Sequence, residues 1–196
     1  MKKSWILLGL WVCMARAEAP KIDIPAQPAA ETTNQEGKPE PAGEPISTTV
    51  TDPKDKNWKE YDNRIIKVHL RINAAWTLME LKETSHSGTV SFTLSRLPLV
   101  TFAVTRDPLQ GDFEVYVSSD ALTPLYAAGF KKSKTVFAGR KSVLVRGILQ
   151  DGRQDESYCA SDGHSFYRVS FSAPKESWKE TQKPFDGIKQ SFRWLK

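Results

Sequence analysis

Two side chains in the C-terminal third of the chain have the types needed for nucleophilic catalysis. Cys159 supplies a thiol and His164 an imidazole, and they lie on either side of Asp162-Gly163, which is typical of a tight turn between strands. If Asp162-Gly163 forms a two-residue turn, Cys159 pairs with Phe166 and lies diagonally from His164. We therefore expect Cys159 to be a small core residue, and we predict no catalytic residue.

Acidic residues and a histidine occur near the ends of two predicted hairpins, which is a composition found in metal sites. Their spacing matches neither a calcium-binding loop nor the paired histidines of a zinc site. Solvated turn residues explain the pattern, so we predict no metal ligand and no cofactor. The residues concerned are Asp151, Asp155, Glu156, Asp162 and His164.

The N-terminus has the layout of a secretory signal. Two lysines precede an apolar run at residues 5–14, and the small residues that follow predict cleavage after Ala17, with a signal peptide at 1–17. The apolar run is too short to span a bilayer, and we expect no transmembrane segment. A lipid anchor on Cys13 is the alternative, but Val12 departs from the small residue that precedes the cysteine in lipoprotein signals. We predict export, to the periplasm or beyond.

Composition divides the exported chain into two parts. Residues 18–57 carry eight acids against four bases, hold seven of the twelve prolines and contain no aromatic residue. Such a segment cannot bury enough apolar surface to offset chain entropy, so we interpret residues 18–55 as a disordered, proline-rich tail. The remainder carries 21 bases against 15 acids and has the composition of one globular domain, which we place at 56–196.

Basic and aromatic residues alternate in the run FKKSKTVFAGRK at residues 130–141. The run is either a solvated connection or a contact patch for an acidic partner, and export argues against nucleic acid as that partner. Tryptophans that the core does not need are the second candidate feature, since tryptophan is enriched at contact centres. The predicted partner-binding residues are Lys131, Lys132, Lys134, Arg140, Lys141, Trp178 and Trp194.

Alternation of apolar and polar residues predicts strands through most of the domain. The stretch RIIKVHLRI at residues 64–72 places its apolar side chains on one face, and WTLMEL, TVSFTLS and LVTFAVTR follow the same pattern. Turns at Asp151-Gly152 and Asp162-Gly163 connect three later strands into an antiparallel meander.

Two segments are predicted to be helical. GDFEVYVSSDALTPLYAAGF begins behind Asp112, is divided at Pro124 and ends on Gly129. A closing helix begins at Pro184 and packs on the open face of the sheet. Its apolar face consists of Phe185, Ile188, Phe192 and Leu195.

This order of elements resembles the PsbP-like family over about residues 60–196. The matching stretches are LRINAAWTLMEL, LYAAGF, AGRKSVLVRGIL, YRVSFSAP and FDGIKQSFRW, with the departure that Ala74-Ala75 stand where members often have a proline before the tryptophan. The resemblance implies an α+β fold, a three-layer α/β/α sandwich with a central, mostly antiparallel sheet. It also implies accessory proteins that dock on a larger assembly and share no catalytic chemistry.

The sequence therefore predicts a non-enzymatic, exported accessory protein of the bacterial cell envelope that docks on an unidentified envelope protein or assembly. The first alternative is a periplasmic carrier of a small apolar ligand or a metal ion in a cleft between sheet and helices. An enzyme that uses Cys159 and His164 is the second alternative. The binding protein would tolerate Cys159→Ser, whereas the enzyme would not.

Overall fold

The structure is a computed structural model that describes residues 47–51 and 57–196. The predicted signal peptide, Cys13 and most of the predicted tail lie outside these residues. Within the predicted tail, Ser47–Thr51 form strand β1, which pairs antiparallel with residues 59–63. The composition of this segment did not predict β1, because β1 forms through hydrogen bonds to a partner strand, and local composition does not reveal that pairing.

Eleven strands build two antiparallel sheets in the described part of the chain. The smaller sheet has the order β1-β2-β3-β11, where β2 is Trp58–Asn63, β3 is Val68–Asn73 and β11 is Arg193–Trp194. The other strands are Trp76–Glu83 (β4), Gly88–Leu94 (β5), Leu97–Pro108 (β6), Tyr126–Phe137 (β7), Arg140–Leu149 (β8), Gln154–Ser161 (β9) and Ser165–Ala173 (β10). They form the larger sheet in the order β4-β5-β6-β10-β9-β8-β7.

The alternation predicted at residues 64–72 is confirmed, because Ile66, Val68, Leu70 and Ile72 are all buried. The antiparallel meander is confirmed as well, since β8 pairs with β9 and β9 with β10. The strand at residues 64–72 was readable because it buries one face, and a buried face requires apolar residues at every second position. The meander was readable from its two Asp-Gly turns.

The turn between β9 and β10 differs from the predicted one. The Asp162 carboxylate accepts bonds from the backbone N–H groups of His164 and Ser165, at 3.0 and 2.8 Å, and Gly163 adopts a φ of 90°. Asp162 therefore stands before the turn, and Gly163 and His164 form it. The predicted register is wrong by two residues, and Cys159 lies opposite Arg168.

The first helical segment ends earlier than predicted. Helices α1 (Phe113–Tyr116) and α2 (Ser119–Leu122) are followed by a 3-10 turn at Thr123–Leu125, and the chain then enters β7. The prediction of a helix up to Gly129 is wrong, and so is the prediction of a solvated connection after Gly129, because residues 126–137 form β7. Tyr126 is buried and its hydroxyl donates to Asp155 at 2.7 Å, which fixes the start of the strand.

The closing helix α3 spans Trp178–Ser191, so it begins six residues before the predicted start, and Pro184 lies inside it. A proline here removes the bond to the Glu180 carbonyl, on an exposed residue where water can replace it. The predicted apolar face is buried at Phe185, Ile188 and Phe192, whereas Leu195 lies beyond the helix.

Two apolar clusters lie on opposite faces of the larger sheet. The first joins β2, β3 and α3 to β4, β5, β6 and β10, and the second joins the α1 and α2 region to β7, β8, β9 and β10. The fold is thus mostly antiparallel sheet with a few helices, as the predicted α+β class requires. The smaller sheet contributes to the first cluster beside α3, and a simple three-layer α/β/α sandwich has no such second sheet.

No helix among the described residues is long and apolar enough to cross a membrane.

Candidate functional site

A pocket of about 800 Å³ lies where β7 and β8 meet the first turn of α3. The register of β7 against β8 jumps from Tyr126↔Leu149 to Phe130↔Gly147, so residues 127–129 bulge out of the ladder. The bulge forms one wall of the pocket, and the beginning of α3 contributes Trp178 and Gln182. We call it the bulge pocket.

Glycine at two positions allows this bulge to form. A Cβ on Gly147 would lie 2.5 Å from Cδ1 of Tyr126, so only glycine lets the tyrosine ring pack against this strand. Gly129 adopts a φ of 81°, a backbone conformation that side chains disfavour. The buried Tyr126 and the two glycines together hold the pocket wall in place.

Two cations face each other across the ladder at the bulge pocket. Lys131 on β7 and Arg146 on β8 are register partners and therefore share one face of the sheet. Like charges directly opposite each other in a sheet are unfavourable. Arg146 has one anionic contact, from its Nε to a Glu156 carboxylate oxygen at 2.8 Å, while 59% of its side chain stays exposed.

Glu156 is a buried carboxylate at the base of the bulge pocket, with only 6% of its side chain exposed. It accepts hydrogen bonds from Lys189 at 2.7 Å, from the Tyr158 hydroxyl at 2.7 Å and from Arg146. Burial acts to raise the pKa of Glu156, but these three donors outweigh it and hold the pKa below its ordinary value. Glu156 is thus an ionised group that already accepts three hydrogen bonds.

Asp155 borders the same pocket, but its carboxylate lies on the opposite face of the sheet because neighbouring strand residues alternate. It accepts bonds from the hydroxyls of Tyr126 and Ser157, both at 2.7 Å, and from Arg168 at 3.3 Å. Burial, followed by the Asp155 charge, raises the pKa of Tyr126. This network links β7 to β9 and β10. The Asp155 carboxylate therefore does not lie on the face of the sheet that carries Lys131 and Arg146.

Two of the predicted partner-binding residues, Trp178 and Lys131, meet at the bulge pocket. Trp178 is half-buried, with its ring 5.9 Å from that of Phe185. The structure thus gathers these two residues, which lie 47 positions apart in the sequence.

Three other predicted basic residues, Lys132 and Lys134 on β7 and Lys141 on β8, lie on the opposite face. Lys132 donates to the Val117 carbonyl at 2.9 Å, so its ammonium group helps to hold the helical region. Lys134 and Lys141 are exposed, and their register partners are Val143 and Val136.

Arg140 and Trp194 form a separate cluster. The Arg140 guanidinium lies 4.4 Å from the centre of the Trp194 ring, whose N–H donates to the Phe137 carbonyl at 3.3 Å. Trp194 follows the end of α3, and Trp178 begins the helix, so about 20 Å separates them at 1.5 Å per residue. The structure does not bring them to one site.

Sequence reasoning missed Arg146 and Lys189. It also interpreted Asp155 and Glu156 as solvated turn residues, which was wrong because both are buried in β9. Recognition of a turn at Ala138-Gly139 would have revealed Arg146. Such a turn pairs Phe137 with Arg140, and continuing this register along an unbroken ladder pairs Lys131 with Arg146. Ala138 adopts a φ of 47°, which is unusual for alanine, so its sequence did not resemble a tight hairpin turn.

Cys159 is buried, as predicted, and His164 is exposed in the turn beyond the strand end. Burial raises the pKa of Cys159 to about 11, although the neighbouring Arg168 acts to lower it. A thiol in this state is a poor nucleophile. Among residues 57–196 no group of three or more His, Cys, Asp or Glu side chains could hold a metal ion.

A second groove, of about 840 Å³, runs along α3 beside Trp58, Trp76 and Leu94. Its lining combines these apolar groups with the helix residues Lys179, Lys183 and Asp186. The size is in the range of small-molecule sites.

The described residues thus define an α+β protein with a surface pocket, lined by charged and apolar side chains, at the edge of its larger sheet. In structure the chain is similar to cyanobacterial PsbP (CyanoP) from Synechocystis sp. PCC 6803, with 14% identity and a TM-score of 0.47, over 82% of this chain and 99% of that one. This similarity agrees with the PsbP-like resemblance of the sequence.

Two further similar structures come from other bacteria. LpqN, involved in cell envelope biogenesis of Mycobacterium tuberculosis, is 15% identical with a TM-score of 0.46, over 76% of this chain and 91% of LpqN. A Bacteroides thetaiotaomicron protein is 11% identical with a TM-score of 0.46, over 66% of this chain and 46% of that one. No protein-family model and no curated protein matches the chain.

Proposed function

We propose that this chain is an exported, non-enzymatic accessory protein that docks on a partner protein of the cell envelope through the bulge pocket. The observation that carries the proposal is the meeting of Lys131, Arg146 and Trp178 at one pocket. Arginine and tryptophan are the residue types most enriched at the energetic centres of protein interfaces.

The position of β7 supports docking by a protein. β7 is the last strand in the described order of the larger sheet and has twelve residues. An edge strand offers backbone N–H and C=O groups to a second chain, and lysines along it oppose unselective pairing. A partner that contacts the bulge pocket therefore has a strand edge beside it for further contacts.

The state of the reactive groups favours binding over catalysis. Cys159 is buried with a raised pKa, and Glu156 is already bonded to three donors. Neither group is available as a nucleophile or a base for a substrate in the bulge pocket.

The test is capture of partners by the full-length protein from an envelope extract, with crosslinking and mass spectrometry. The variant Lys131→Glu reverses one charge at the bulge pocket. The matched control Lys134→Glu makes the same change three residues along β7, on the opposite face. We expect a protein enriched by the native and control baits to be lost with Lys131→Glu. Equal capture by both variants would contradict docking at this pocket.

A carrier of a small apolar ligand is a second candidate function, favoured by the groove beside Trp58 and Trp76. Native mass spectrometry of the protein, purified from the envelope of the cells that produce it naturally, tests this carrier function. A reproducible added mass that is lost in Trp58→Ala would support the carrier, and an unmodified mass would count against it.

A further inference from the structure

We infer that the bulge pocket recognises a carboxylate on an acidic, extended segment of the partner, which binds between Lys131 and Arg146 beside Trp178. The inference rests on the proposed docking function and gives the chemistry of the contact.

The charge arrangement points to an anion. Lys131 and Arg146 lie directly opposite each other in the sheet. Opposite charges at such a position would stabilise the sheet, whereas like charges destabilise it. Lys189 lies beyond the lining residues and is already paired with two carboxylates, Glu156 at 2.7 Å and Asp186 at 3.5 Å. Among the described lining residues this face carries two cations, Lys131 and Arg146, and one carboxylate, Glu156, which leaves an excess of positive charge.

The unused donors are suited to a carboxylate. A guanidinium has five N–H donors, and the contact of Arg146 with Glu156 uses the one on Nε. Arginine binds carboxylates in a planar, two-bond fork, for which its terminal nitrogens are suited. Glu156 also holds Arg146 in place, which lowers the entropy lost when a ligand binds.

The surroundings favour an acidic side chain that belongs to an extended peptide. Trp178 gives the pocket an apolar wall against which the CH₂ groups of a glutamate can pack. The edge of β7 runs directly from the pocket, because Lys131 belongs to both. An extended segment can therefore place one carboxylate in the pocket while its backbone follows β7.

Amide NMR titration of the full-length protein tests the inference with three probes: hexaglutamate with blocked ends, hexaglutamine with blocked ends, and inorganic phosphate. We expect hexaglutamate to shift the amide signals of Gly129, Phe130 and Gly147 and the indole signal of Trp178 in a saturable manner. Hexaglutamine should leave these signals in place. Arg146→Gln should weaken the binding of hexaglutamate about 5- to 10-fold, the lower range for a charge-assisted contact that is partly exposed. Lys134→Gln should change it less than about twofold, since that charge lies on the other face.

Three results would overturn the inference. The first is the absence of saturable shifts with hexaglutamate. The second is an equal loss of affinity in Arg146→Gln and Lys134→Gln, which would indicate unselective attraction to the lysines. The third is phosphate binding at the same signals as tightly as hexaglutamate, which would identify a site for free oxyanions. If any of these occurs while Lys131→Glu still abolishes partner capture, docking stands and only the carboxylate chemistry fails.

Discussion

Replacing Gly147 with alanine tests how the bulge pocket is built. The added Cβ would lie 2.5 Å from Cδ1 and 3.0 Å from Cε1 of Tyr126, and 3.0 Å from the Gly129 carbonyl oxygen. The tyrosine ring cannot move away freely, because it is buried and its hydroxyl donates to Asp155 at 2.7 Å. Either the ring shifts and weakens that bond, or the bulge itself moves.

The expected cost follows from these two routes. Overpacking a well-filled site costs about 1–3 kcal/mol, and the loss of a hydrogen bond to a buried charged group costs about 1.5–3 kcal/mol. Because relaxation trades one cost against the other, we expect Gly147→Ala to lower the free energy of unfolding by about 3 kcal/mol. Urea denaturation followed by tryptophan fluorescence measures this change.

A double-mutant cycle isolates the role of Tyr126. If the clash with its ring is the cause, Gly147→Ala should cost less than about 1 kcal/mol in a Tyr126→Ala background, where only the Gly129 carbonyl contact is left. An equal cost in both backgrounds would refute the reasoning, as would a cost below about 1 kcal/mol in the native background.

Three further predictions concern other groups. Glu156→Gln should destabilise the protein by about 2–3 kcal/mol, because Lys189 loses its buried counter-ion; urea denaturation at pH 7 measures it. The pKa of Glu156 is lower in the folded protein than in the unfolded chain. The stabilisation that its charge provides is therefore complete above the unfolded pKa and is lost as the pH falls through the folded pKa. Between neutral pH and pH 3, Glu156→Gln should thus lose less stability than the native protein. In a Cys13→Ser background, Cys159 should resist a thiol reagent at pH 8 and react only after unfolding in urea, and prompt labelling would contradict its raised pKa. Trp194→Ala should lower stability by about 3 kcal/mol, because it removes packing against Arg140 and Phe192, yet leave hexaglutamate binding unchanged in the NMR titration.

The strands that bury one face were readable from the sequence, and the edge strand was not. Residues 64–72 alternate because β3 lies over the core, whereas β7 exposes most of its length and carries lysines on both faces. Without an apolar alternation, the helix signal before Tyr126 extended too far. A tyrosine buried through a bond to Asp155 decides where that strand begins, and Asp155 is 29 residues away.

Turn chemistry explains the wrong register between β9 and β10 and the hairpin between β7 and β8 that the sequence did not reveal. The sequence Asp162-Gly163 fits a two-residue turn, but the Asp162 side chain binds the following backbone and moves the turn by one residue. Ala138-Gly139 forms a turn without the usual asparagine or aspartate, so its sequence carried no clear signal.

The candidate site was only partly predictable for the same reason. Trp178 and Lys131 could be singled out by residue type, because tryptophan and lysine on a surface suggest contacts. Arg146 and Glu156 could not, because their importance depends on which residues lie opposite them in the sheet. Local patterns predict which face a residue takes, whereas a cross-strand site also requires the register.

Comparison of Lys131→Glu with Lys134→Glu in the capture of envelope proteins tests the central claim most directly. The two variants carry the same charge change on the same strand, so net charge and edge exposure are matched, and only the face of the sheet differs. Docking at the bulge pocket predicts a partner captured by the native protein and by Lys134→Glu but lost with Lys131→Glu. Capture that survives in Lys131→Glu, or that is lost equally in both variants, would contradict it.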